Sequence, residues 1–214
     1  EQLSLRKIDL QSFQTIRQSF AARKRKRSNW RNEMAEDRDI KIYDGGKASE
    51  QNDLQRISED LDRHKRNGNN EKAKALGKRL AKIRPDCKKL GLDIGRMPAS
   101  ELYCVRVLLT FTAEYAVQKF ILSDTLADAV SASMYDYLKT EEKGYYDNIS
   151  DGSAFTFYLL ALKKSSDTAE NIGEQFAQRC GINSDEYVAF GAEIFNKSLE
   201  LYSKIIDETE FAGE

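Results

Sequence analysis

Apolar residues recur at intervals of three and four along most of this chain, which is the spacing of one face of an α-helix. The first such row begins at Leu5 and fades after Phe20 into a charged stretch of high helix propensity. Between residues 49 and 91, two narrow apolar rows flank the turn-forming segment 67–70 (NGNN), which predicts a helical hairpin. Pro85 interrupts the second row, so we expect a break near Ile83.

The second half of the chain has the pattern of a helical bundle. An almost wholly apolar stretch from about Pro98 to Leu122 predicts the buried central helix. Helix-capping residues and glycines divide the remainder. The expected elements are a helix opened by Ser123 and Asp124, a loop over 140–152, an apolar helix over 154–162, a helix from Asp167 to Cys180, and a last helix from Asn183 to about Phe211. Convincing strand alternation is missing throughout, so we predict an all-α fold.

Charge and aromatic content change abruptly near residue 97. Residues 1–100 carry 25 Lys and Arg against 15 Asp and Glu, whereas residues 101–214 carry 9 against 20. Of the 20 Phe and Tyr residues, 17 lie after residue 100. We therefore predict a basic N-terminal helix with a helical-hairpin extension at 1–97, and an acidic, aromatic-rich helical bundle at 98–214. Attraction between the halves, within one fold or between subunits, explains the split equally well.

The cysteine, histidine and glycine content argues against the common enzyme and metal sites. Cys87, Cys104 and Cys180 are scattered without a CxxC pair, and the only histidine, His64, lies on an apolar row, where we interpret it as structural. Glycine-rich phosphate loops and a nucleophile elbow do not occur in the sequence. We predict no metal and no cofactor, and we favour a non-catalytic role while leaving enzymatic activity open. Scattered cysteines and charges within the apolar helix favour a cytoplasmic protein without a membrane span.

The central helix carries one row of polar residues with the chemistry of a small pocket. The row consists of Arg106, Thr110, Glu114 and Gln118. Facing inward, Arg106 and Glu114 would form a charged couple in a pocket completed by Tyr115 or Tyr137. Facing outward, the same row is the solvated edge of a bundle helix, and this is the interpretation that we favour.

The densest charge in the chain is a run of five cations that is followed closely by the only tryptophan. These residues are Arg23, Lys24, Arg25, Lys26, Arg27 and Trp30. On a helix they would contact phosphates, with the Trp30 ring stacked on a base, or dock on an acidic protein surface. Plain solvation is the third interpretation. The acidic residues between 33 and 39 and a sequence pI of about 6.1 weaken the nucleic-acid interpretation.

These patterns predict a non-catalytic helical interaction protein. We expect it to self-associate, as a homo-oligomer, or to bind a protein partner through its N-terminal helices, because narrow apolar rows need a covering surface. Nucleic-acid binding through the cluster from Arg23 to Arg27 is the first alternative. Small-ligand binding or a cryptic enzymatic pocket in the C-terminal bundle is the second.

Overall fold

A computed structural model describes residues 58–164 and 167–213 of this chain. These residues form helices and turns, with no strand among them, which confirms the all-α prediction. From Asp60 onward they belong to one compact unit, Asp60–Glu214. The predicted N-terminal basic helix lies outside the described residues.

Seven α-helices follow the helical residues 58–66 in the described part of the chain. They are α1 (Asn69–Ala81), α2 (Ala99–Phe120), α3 (Asp124–Glu141), α4 (Lys143–Ile149), α5 (Ser153–Ala161), α6 (Thr168–Cys180) and α7 (Asp185–Asp207), with a short 3₁₀ turn at Lys88–Leu90 between α1 and α2.

Helix α2 is the centre of the core, as its apolar sequence predicts. It contacts α3, α5, α6 and α7, and Val105, Val107 and Leu108 are fully buried along its length. Two further helix pairs pack closely, α1 with α3 and α6 with α7. Among the residues that the structure describes, no helix is both long and apolar enough to span a membrane.

Local chemistry sets several of the predicted helix ends. The Ser123 hydroxyl accepts the backbone N–H of Leu126 at the start of α3, and Asp167 caps α6 through the N–H groups of Ala169 and Glu170. Gly181 ends α6 in the left-handed conformation, with φ 73°. These three boundaries confirm the sequence prediction. So does the end of α1 at Ala81, shortly before Pro85.

Three other expectations are wrong, two of them because contacts distant in sequence decide the structure there. Residues 140–152 are not a loop: α4 forms within them, and its Ile149 is fully buried. Ser184 rather than Asn183 caps α7. Helix α7 ends at Asp207 rather than near Phe211, and the chain then turns so that the N–H of Ala212 donates to Asn69 Oδ1 at 2.9 Å.

Helix α1, from the predicted hairpin, packs against α3 of the predicted bundle. Its buried residues are Asn69, Ala73, Leu76, Gly77, Leu80 and Ala81. At Gly77 the backbones of the two helices nearly touch, next to Val130 and Ser133 of α3. Contacts of this kind favour a unit that includes α1.

We expect a fragment of residues 60–214 to melt cooperatively, and a fragment of residues 98–214 to melt at a lower temperature or aggregate. The shorter fragment lacks α1, so it exposes the surface of α3 around Val130 and Met134, which are almost completely buried in the longer one. Circular dichroism melts of both fragments check this. Equal melting midpoints would support the boundary at residue 97 that the charge split predicts.

Candidate functional site

A groove of about 790 Å³ runs along the α1–α3 pair. The two helices approach most closely at Gly77 of α1. An added Cβ there would collide with the carbonyl oxygen of Val130 and lie 2.8 Å from Ser133 Cβ. The Ser133 hydroxyl also donates to the carbonyl oxygen of Lys74 at 2.8 Å, which ties the two helices together. Glycine at this contact allows the close approach, and the groove opens beside it.

One wall of the groove is a row of lysines on α1 and at its C-cap. Lys74, Lys78 and Lys82 are exposed and lie four residues apart, so the row extends over about 12 Å of helix. Lys74 Nζ lies 2.7 Å from Glu71 Oε1, and Lys82 Nζ lies 5.5 Å from the centre of the Tyr137 ring. The wall therefore presents positive charge to solvent along two helical turns.

The opposite wall, on α3, combines small, aromatic and acidic residues. Ala129 and Ala132 leave a shallow apolar strip, and the Tyr137 ring continues it. Asp136 and Glu141 place negative charge on this wall. Leu61, with 45% of its surface exposed, adds an apolar residue to the lining. The groove thus has a cationic wall, an apolar strip and an acidic rim.

The polar row on α2 does not face solvent at Arg106 and Thr110, so the outward interpretation is wrong there. Arg106 is 7% exposed and donates through Nη2 to the carbonyl oxygen of Ala81 at 2.9 Å and to Glu142 at 3.0 Å. Its Nη1 donates to the carbonyl oxygen of Ile83. The side chain therefore closes the C-terminal end of α1 and joins it to the start of α4.

Tyr145, from the segment expected to be a loop, completes this buried cluster. Its ring stacks beside the guanidinium of Arg106, 5.2 Å from ring centre to Cζ, and its hydroxyl lies 2.7 Å from Thr110 Oγ1. Burial raises the pKa of Tyr145 to about 12, although the Thr110 hydrogen bond opposes the shift. Burial is also the main cause of a lowered pKa for Arg106. Because both Nη groups of Arg106 bind protein groups, the cluster acts as an internal clamp.

The four residues proposed for a pocket lie in different places. Arg106 pairs with Glu142, not with Glu114, whose Oε1 lies 3.4 Å from Gln118 Nε2. The Tyr115 ring packs against Phe195, with centres 5.9 Å apart. Tyr137 lines the groove instead. The predicted combination is therefore not assembled, and one of its members belongs to a different site.

His64 has the structural surroundings that its apolar position indicates. It is 2% exposed, with Nδ1 3.1 Å from Asn69 Nδ2 and Nε2 3.2 Å from Ser123 Oγ. Within the described ranges, His, Cys, Asp and Glu side chains form no group of three that could hold a metal ion. The cluster Arg23 to Arg27 and Trp30 lie outside those ranges, so their role stays a prediction.

Apart from Tyr137, which was expected in a different pocket, the groove residues were not predicted from the sequence. The spacing of Lys74, Lys78 and Lys82 is visible in the sequence, but rows of lysine are common on solvated helices. What turns this row into one wall of a site is the opposing surface of α3, about fifty residues further along the chain. Comparisons of the chain with family models, with curated proteins and with solved structures find no match.

Proposed function

We propose that this chain is a protein-interaction module whose α1–α3 groove binds an acidic amphipathic helix of a protein partner. The observation that carries this proposal is the row of Lys74, Lys78 and Lys82 beside the apolar strip of Ala129, Ala132 and Tyr137. The row extends over about two turns of helix. A partner helix with carboxylates three or four residues apart has the matching spacing, and its apolar side would cover the strip.

The acidic rim favours a protein over a nucleic acid as the occupant. Asp136 and Glu141 stand across the groove from the lysines, and they would repel a phosphate backbone laid along it. A protein helix can place a basic or neutral side chain opposite them. Ser133, a hydroxyl in the groove, is committed to the Lys74 carbonyl, which favours binding over nucleophilic catalysis. Three cysteines without a disulfide are typical of a reducing compartment, so we propose a cytoplasmic location.

We expect the full chain to bind a fluorescent helical peptide with glutamates at every fourth position and leucines on the adjacent face. Replacing Lys74, Lys78 and Lys82 together by glutamine should weaken binding about tenfold, since each exposed ion pair contributes roughly 0.2–1 kcal/mol. Fluorescence anisotropy at several salt concentrations measures this. The affinity of the unmodified protein should fall as salt rises, because the pairs are exposed.

A matched variant distinguishes the effect of the groove lysines from the effect of net charge. Replacing Lys65, Lys139 and Lys143 by glutamine removes the same charge from exposed positions outside the groove lining, and it should leave affinity within about twofold. A peptide with lysines in place of the glutamates should not bind. Equal binding of both peptides, equal loss in both variants, or tighter binding of DNA or RNA than of the acidic peptide would overturn the proposal. Salt-sensitive self-association lost only in the groove variant would identify a second copy as the occupant, contradicting a separate partner.

A further inference from the structure

Two cysteines that are 76 positions apart in the sequence meet where α2 passes the C-terminal end of α6. Cys104 lies on α2 and is 7% exposed, with its Sγ 3.8 Å from the carbonyl oxygen of Arg179. Cys180, the last residue of α6, is half-buried and directly follows Arg179, so its backbone lies beside the Cys104 sulfur. Both are free thiols in this structure, and Cys87 is the third.

The surroundings make the two sulfurs chemically unequal. Hydrogen bonding from the neighbouring Cys180 lowers the pKa of Cys104 to about 7; burial and the Glu101 carboxylate oppose this shift, and the nearby Arg179 guanidinium assists it. The same hydrogen bond raises the pKa of Cys180. A sulfur that is partly thiolate near neutral pH therefore lies next to a residue whose thiol stays protonated, which is the arrangement of an attacking and a resolving cysteine.

We propose that Cys104 and Cys180 form a redox modification site, at which hydrogen peroxide produces a reversible disulfide between α2 and the end of α6. Arg179 belongs to the site as the neighbouring cation. The half-buried Cys180 gives the pair its access to solvent, and peroxide is small and neutral enough to reach the pair by this route.

The reaction balances in two steps. The Cys104 thiolate attacks one peroxide oxygen, the O–O bond breaks, and the hydroxide that leaves takes up the proton that Cys104 had lost, giving a sulfenic acid and water. The Cys180 sulfur then attacks the Cys104 sulfur, the S–O bond breaks, and hydroxide leaves with the Cys180 proton as a second water. The two sulfurs lose two electrons in total, and peroxide is reduced to two molecules of water.

Mass spectrometry of the full chain under non-reducing conditions tests the proposal. After peroxide treatment and blocking of free thiols, trypsin should release the fragments 97–106 and 180–197 as one cross-linked species. Two of the three thiols should be lost to maleimide labelling, and dithiothreitol should restore them. The Cys87→Ser variant should behave in the same way, whereas Cys104→Ser and Cys180→Ser should give no such species.

Because the unmodified chain already gives the main readout, a serine variant that fails to fold does not decide the outcome. The proposal is overturned if all three thiols remain reactive after peroxide treatment, or if the cross-link involves Cys87 or joins two chains. It is also overturned if Cys104 proceeds to a sulfinic acid without any linkage to Cys180, because the two sulfurs would then not meet.

Discussion

Replacing Arg106 by alanine is expected to lower the free energy of unfolding by about 3–5 kcal/mol, the usual cost of breaking a buried ion pair. The substitution leaves Glu142, whose side chain is 12% exposed, without its buried cation. It also removes the donors to the carbonyl oxygens of Ala81, the last residue of α1, and of Ile83, two residues further on. Urea unfolding followed by circular dichroism gives the number.

Arg84 provides a control within the same ion-pair network. It also pairs with Glu142, but its side chain is 41% exposed, so Arg84→Ala should cost no more than about 1 kcal/mol. Arg106→Lys keeps the charge without the two-pronged donor geometry, and it should fall between the two alanine variants. Equal losses for Arg106→Ala and Arg84→Ala would show that Arg106 does not act as a buried clamp.

The partners of Arg106 in this clamp could not be predicted from the sequence. Helix α2 is apolar on nearly every side, so the pattern predicts burial but does not indicate which neighbour each polar residue meets. Arg106 is partnered by Glu142 and stacks on Tyr145, both in a segment whose turn-like composition predicts a loop. Burial of Ile149 and Tyr145 outweighs that local preference, and such a contact cannot be read from the residues of the segment alone.

Features with a local cause were predictable. Ser123, Asp167 and Gly181 bound helices because their own side-chain or backbone chemistry satisfies nearby groups, whatever the rest of the fold does. The groove and the cysteine pair depend instead on helices that are distant in sequence, and in the groove a glycine brings the two helices together. Gly77 allows α1 to pack closely against α3. The neighbouring Lys78 lines a groove only because the two helices pack in this way. The sequence shows where such a glycine is, but it does not show which helix packs against it.

The α6–α7 pair depends on a still closer contact, so Gly173→Ala should lower the free energy of unfolding by about 2–3 kcal/mol. An added Cβ would collide with the carbonyl oxygen of Val188 and lie 3.1 Å from the backbone nitrogen of Ala192. These are backbone atoms of α7, which no rotamer change can move away. The helices must separate, although alanine's better helix propensity returns up to about 1 kcal/mol.

Gly144 is the matched control, because it also lies within a helix but a Cβ there would meet nothing within 4 Å. Gly144→Ala should therefore raise the free energy of unfolding by up to about 1 kcal/mol, so the two substitutions are expected to have opposite signs. Chemical denaturation of both variants measures the difference. If both variants are stabilised, α6 and α7 do not approach closely at Gly173.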